Sequence, residues 1–131
     1  MNSAMSQYKS VGVGAGLQTA SPHQLICMLY EGAQEALAKA IGAIDRSDFG
    51  QRSQQINKAL SIILELKATL DLERGGELAG NLDALYSYMS GKLMEANREN
   101  SADLVHEVSN LVNELSEAWL QIPPEYRKQQ D

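Results

Sequence analysis

Gly75–Ala96, GGELAGNLDALYSYMSGKLMEA, decides the fold of this 131-residue chain. Its glycine pair is a natural helix stop. The residues after that pair set Leu78, Leu82, Leu85, Met89, Leu93 and Ala96 on one side, because intervals of three and four residues keep one face forward over successive turns. Tyr86 and Tyr88 flank that stripe. At about 100° per residue they stand roughly 200° apart, so they cannot both enter one narrow core seam. Matching apolar faces lie on either side of this stretch in the chain, which makes it the middle of a helical bundle.

Upstream, the spacing predicts a helix from about Gln51 to Glu73, capped by Asp48 and ended by Gly75-Gly76. Ile56, Ala59, Ile63, Leu66 and Leu70 repeat at helical intervals. With Leu60, Ile62 and Leu64 added, the apolar arc widens to roughly 200°, against the ~100° a simple surface helix needs. Leu60, Ile62 and Leu64 sit at its edges and are the residues left over.

Further upstream, Ser21-Pro22-His23-Gln24 is a strong helix start: a serine cap, proline in the first turn, and glutamine closing a capping box. That helix is expected from Pro22 to Ile44, with Leu25, Leu29, Ala33, Ala36 and Ala40 on one face. Downstream, Ser101 caps a helix whose stripe is Leu104, Val105, Val108, Leu111, Val112, Leu115 and Trp119, stopped by Pro123-Pro124. Short loops make consecutive helices antiparallel. The expected architecture is therefore all-α, an antiparallel up-down-up-down four-helix bundle. Residues 1–20, rich in Gly and Ser, form a flexible N-terminal arm. Residues 21–122 form the bundle, and 123–131 a polar tail.

Composition narrows the function. Lys and Arg number 11 against 17 Asp and Glu, a formal net charge of −6. Phosphate binding needs a concentrated positive face, so nucleic acid is not the expected partner. No apolar run approaches the ~20 residues of a membrane span. The chain does not open like a secretory signal. Its one cysteine, Cys27, fits a reducing cytosol.

Two places invite chemistry. His23 and Cys27 lie four apart on a helix, which suits half a zinc site or a helix-start histidine beside a small thiol. Asp103-x-x-His106 resembles one element of a di-iron bundle, but the inner faces of the other helices offer Leu and Ala. No phosphate-binding loop or nucleophile elbow is present. The expectation is no enzyme, no metal and no cofactor. Carboxylates at Glu31, Glu35, Glu107, Glu114 and Glu117 read as solvated helix faces. Surplus apolar arc beside tyrosine is a binding signature, because tyrosine joins large contact area to few rotamers.

The order of these residues resembles a known family. Tyr8 precedes Ala20-Ser21-Pro22 and then Leu25-x-x-Met28-Leu29-Tyr30-x-Gly32. Gly75-Gly76-Glu77-Leu78-Ala79, Asn81-Leu82-x-x-Leu85-Tyr86-x-Tyr88-Met89, Glu95-Ala96-Asn97 and Glu117-Ala118-Trp119 come after. From Tyr8 to Trp119 the chain is similar to the bacterial flagellin-specific export chaperones, the FliS family. The resemblance implies a cytosolic helical bundle without ATP use or catalysis. It implies binding of the disordered C-terminal segment of flagellin, prevention of premature polymerisation, and delivery to the flagellar type III export apparatus. It also implies that the N-terminal tyrosine, here Tyr8, covers the client groove as a lid.

Joined to the surplus apolar arc, this gives Leu60, Ile62, Leu64, Tyr86 and Tyr88 as expected client contacts, on a monomer or weak homodimer. The alternative is a self-associating helical adaptor that uses the same surface.

Overall fold

Three helices begin where the sequence supplies an oxygen-bearing cap. The Gln24 N–H donates to Ser21 Oγ at 3.2 Å, and the Ser21 N–H donates to Gln24 Oε1 at 2.8 Å, closing the capping box. Asp48 Oδ1 accepts from the Gln51 N–H at 3.2 Å, and Ser101 Oγ accepts from the Leu104 N–H at 3.2 Å. The computed structural model describes residues 20–122. They form α1 (Pro22–Asp45), α2 (Phe49–Ala68), α3 (Gly76–Glu99) and α4 (Ala102–Leu120). Tyr8, the arm and the tail from Pro123 lie outside the described residues.

Polar contacts fix the helix directions. Arg52, at the start of α2, donates from Nε to Asn97 Oδ1 at 2.8 Å and from Nη1 to Asn100 Oδ1 at 3.1 Å, at the end of α3. Lys67, near the end of α2, pairs with Asp83 early in α3 at 3.6 Å. These two helices are antiparallel. His23 at the start of α1 meets Trp119 at the end of α4, so α1 and α4 are antiparallel too. α1 packs on α2 and α4, and α3 packs on the same two helices from the other side.

The core is drawn from all four elements. Leu29, Leu37, Ile56, Ile63, Met89, Leu93, Val105 and Val108 are buried there, with Ala33, Ala36 and Ala40 from α1. Burying a Leu, Ile, Val or Met side chain contributes about 1.5–3 kcal/mol. The alanines contribute less area but let neighbouring backbones close in.

α2 ends five residues before the expected Glu73. Thr69 caps it, its Oγ1 donating to the Leu66 carbonyl at 2.6 Å. Asp71 then folds the chain on itself: its Oδ1 accepts from the Glu73 and Arg74 N–H groups at 3.2 and 3.0 Å. Such a local turn competes with helix for the same backbone donors. The glycine pair therefore does not stop α2; it starts α3. Gly75 is irreplaceable in this turn, since a Cβ there would lie 2.5 Å from Ala79 Cβ and 2.8 Å from the Asp71 oxygen. Gly76 sits at φ +56°, in the left-handed region. Leu78, in the first turn of α3, is 69% exposed instead of buried.

Candidate functional site

The expected contact residues separate into core and surface. Ile62 is 1% exposed and Tyr86 is 3% exposed, so both belong to the core. The surplus arc of α2 is thus narrower than its wheel suggests. Ser53 and Lys67 mark the side of α2 that faces α3. Ile62 falls on the opposite edge of the buried arc. Leu60 is half-buried against the core, and Leu64 is 50% exposed. Tyr88 is 45% exposed on the side of α3 nearest α4.

Leu64 and Tyr88 therefore lie on opposite flanks of α3. Between them runs a ridge of small exposed residues, Gly80, Ala84, Ser87 and Gly91, at intervals of four, three and four. A Cβ added at Gly80 or Gly91 would meet nothing within 4 Å. On the α2 flank, Met94 is 52% exposed. Large side chains thus frame a low strip along which another backbone can approach closely. Sequence reasoning finds Leu64 and Tyr88 but misses the ridge. The signal is present as a second helical spacing, of small residues opposite the leucine stripe.

Tyr88 is held in place. Its hydroxyl donates to Glu107 Oε2 on α4. Lys92 Nζ lies 5.5 Å from the ring centroid, a cation–π contact, and reaches Glu95 at 3.6 Å. Its hydrogen bond to the Glu107 carboxylate raises the Tyr88 hydroxyl above the ordinary phenol range, with desolvation and the Glu107 charge adding to the effect. The ring is a fixed apolar plate beside the low strip.

Tyr86 belongs to a different device. Its hydroxyl meets that of Tyr30 at 2.7 Å, joining α1 to α3 through the core. Burial, before any other cause, raises both hydroxyls above the ordinary value, so each stays neutral.

A third polar group lies at the junction of α1 and α4. His23 Nε2–H donates to the Trp119 carbonyl at 2.8 Å, and Trp119 Nε1–H donates to the His23 carbonyl at 2.9 Å. The two rings stack at 4.9 Å. His23 Nδ1 lies 3.7 Å from Cys27 Sγ. This histidine ties two helix ends together, and its second nitrogen faces the thiol. Asp103 and His106 are both exposed. Among the described residues no three His, Cys, Asp or Glu side chains gather as a metal site, and no helix is long and apolar enough to cross a membrane. Glu35 pairs with Lys39 on the surface at 3.0 Å.

These polar groups serve helix junctions, while uncovered apolar side chains gather around the outer face of α3. That defines an all-helical bundle that carries uncovered apolar side chains on the outside of α3. Residues 2–126 match the family described as Flagellar protein FliS. The chain is 47% identical over 116 residues to flagellar secretion chaperone FliSB of Pseudomonas aeruginosa, covering 88% of this chain and 92% of that protein. Against flagellar secretion chaperone FliS of Salmonella typhimurium it is 43% identical over 123 residues, 93% of this chain and 91% of the other. Against that of Vibrio cholerae it is 37% identical over 126 residues, covering 96% and 93%. The chain belongs to the FliS family, whose members are chaperones and not enzymes.

Proposed function

We propose that this protein is a cytosolic export chaperone that binds the disordered C-terminal segment of flagellin. By holding that segment it prevents premature polymerisation, and it brings the subunit to the flagellar type III export apparatus. The observation that carries the reading is the outer face of α3: a low strip of Gly80, Ala84, Ser87 and Gly91 between uncovered Leu64 and Tyr88. Membership of a family of flagellar secretion chaperones supports the choice of client.

The physical logic is masking. A flagellin terminus that packs against neighbouring subunits carries an amphipathic pattern, and a helix face with uncovered apolar flanks can cover it. Ordering a disordered segment costs about 2–5 kcal/mol of the gross interaction energy, so the contact must be broad and mostly apolar. Leu60, Leu64 and Tyr88 are the proposed contacts, with Ile62 and Tyr86 supporting them from the core and Tyr8 as the lid. The chaperone works as a monomer or weak homodimer, and its net charge of −6 opposes self-association.

Titration calorimetry against intact flagellin, and against flagellin lacking its disordered C-terminal segment, tests this. One-to-one binding with a large negative heat-capacity change, lost on truncation, is expected. Equal binding to both forms would overturn the assignment of the client segment. No binding to either, with a stable oligomer in sedimentation, would replace it with the self-associating adaptor.

A further inference from the structure

α3 is turned away from its own apolar stripe. Counted from Tyr86 at about 100° per residue, Leu93, Leu82, Met89, Leu78 and Leu85 stand at about 20°, 40°, 60°, 80° and 100° to one side. Ala79 and Ser90 stand at about 20° and 40° to the other side. Hydrophobic burial alone would centre the helix on the stripe, about 60° from Tyr86. The buried residues of α3 are instead Ala79, Tyr86, Met89, Ser90, Leu93 and Ala96. Their centre lies only about 20° from Tyr86. Ser90 is therefore inside at 7% exposure, while Leu82 and Leu85 are only partly buried and Leu78 is 69% exposed. The helix takes in a hydroxyl at one edge and leaves leucine out at the other. Ser90 settles its own hydroxyl by donating to the Tyr86 carbonyl at 2.9 Å.

What holds this angle lies in the core. The hydroxyls of Tyr30 and Tyr86 meet at 2.7 Å, and the two residues are 4% and 3% exposed. α1 and α3 stand diagonally across the bundle and pack mainly on α2 and α4, so this bond ties the diagonal. A turn of about 40° sweeps a side-chain tip, at the ~5–6 Å radius of a helix, through about 4 Å and parts the hydroxyls. The Tyr30 hydroxyl would then sit in an apolar interior without its partner, which is costly. The other polar ties of α3 are softer. Asp83, Tyr88 and Asn97 meet Lys67, Glu107 and Arg52, whose flexible side chains can follow a small turn.

We infer that the Tyr30–Tyr86 pair is a rotational latch, holding α3 about 40° off the orientation that its leucines favour. The latch makes α3 a two-position element. Breaking one hydroxyl bond exchanges Ser90 for Leu85 in the interior and redraws the outer face of α3 without unfolding it. The inference goes beyond the proposed function and is independent of the client.

Thiol labelling reads the rotation directly. Cys27 is the one cysteine of the chain, so Cys27→Ser supplies a background for Ser90→Cys, Leu85→Cys and Val112→Cys, each introduced singly into the full chain. Val112, 1% exposed on α4, reports loosening of the core as a whole. Reaction with a maleimide is timed with both tyrosines present and again with Tyr30→Phe and Tyr86→Phe added. The double phenylalanine change should speed labelling at Ser90→Cys at least tenfold, slow it at Leu85→Cys at least threefold, and leave Val112→Cys unchanged. Adding Leu85→Gln to the Ser90→Cys chain, which removes part of the apolar pull, should bring its labelling back toward the slow rate. Tyr86→Phe alone should move each site in the same direction as the double change, and circular dichroism checks that every variant is folded. Unchanged rates at Ser90→Cys and Leu85→Cys, or faster labelling at all three sites, would each overturn the latch.

Discussion

α1 and α3 are each 24 residues long and both are rich in small side chains, yet they use them in opposite directions. On α1, Ala33, Ala36, Ala40 and Ala43 are fully buried and bring α2 and α4 close. On α3, Gly80, Ala84, Ser87 and Gly91 point away from the core with open space above the glycines. The first arrangement tightens the bundle and the second keeps its outer surface low. A helix-forming residue would serve better than glycine at Gly80 and Gly91 if stability alone mattered, by about 1 kcal/mol each. Small size therefore means two things in one chain, close packing already made and close packing still available.

Truncating large residues near each helix gives the widest contrast. Leu37→Ala, inside α1, removes a fully buried side chain and should cost about 2–5 kcal/mol in urea unfolding. Leu64→Ala, on the flank of α3, should stay within about 0.5 kcal/mol and weaken flagellin binding instead. A large stability loss at Leu64 would mean that it belongs to the core and that the proposed surface is misplaced.

Enlarging the small residues probes the same contrast from the other side. Ala36→Leu forces extra methylenes into a filled interior and should cost about 1–3 kcal/mol. Ala84→Leu has room outside and should change stability by less than about 0.5 kcal/mol. Its effect should appear in calorimetry as weaker flagellin binding, since the added side chain holds the client off the strip. Unchanged binding would mean that the client does not lie along the low ridge, while leaving Leu64 and Tyr88 as contacts.

Local signals explain how much of the fold is legible in the chain alone. Helix starts at Ser21, Asp48 and Ser101 are legible because a cap and its backbone donor lie within three residues. The end of α2 is not, because Leu70 and Leu72 prolong the apolar pattern while Asp71 turns the backbone. Ile62 escapes for a different reason. A wheel gives the width of an apolar arc but not which edge its neighbours cover. In the folded bundle the Ile62 edge is covered, and Leu64 is left out. Tyr86 is beyond reach in the same way, because its hydroxyl partner Tyr30 lies 56 residues earlier and on another helix.

That hydroxyl pair supplies the subtlest link between α1 and α3. Tyr86→Phe leaves the Tyr30 hydroxyl buried without a partner and should cost about 1–3 kcal/mol. Removing both hydroxyls, with Tyr30→Phe added, leaves nothing unsatisfied and should recover most of that loss. Alkali reads the pair independently. Both hydroxyls titrate above their unfolded value near 10.0, so the folded state favours the neutral form. Their contribution is complete below that pH and is lost as pH rises past it, when the unfolded chain releases protons that the folded chain retains. The wild type should therefore lose stability steeply above about pH 10, with phenolate absorbance from these two residues appearing only on unfolding. The double phenylalanine variant should lose less over the same range. If its alkaline profile matched the wild type, the tyrosine pair would not be what couples α1 to α3.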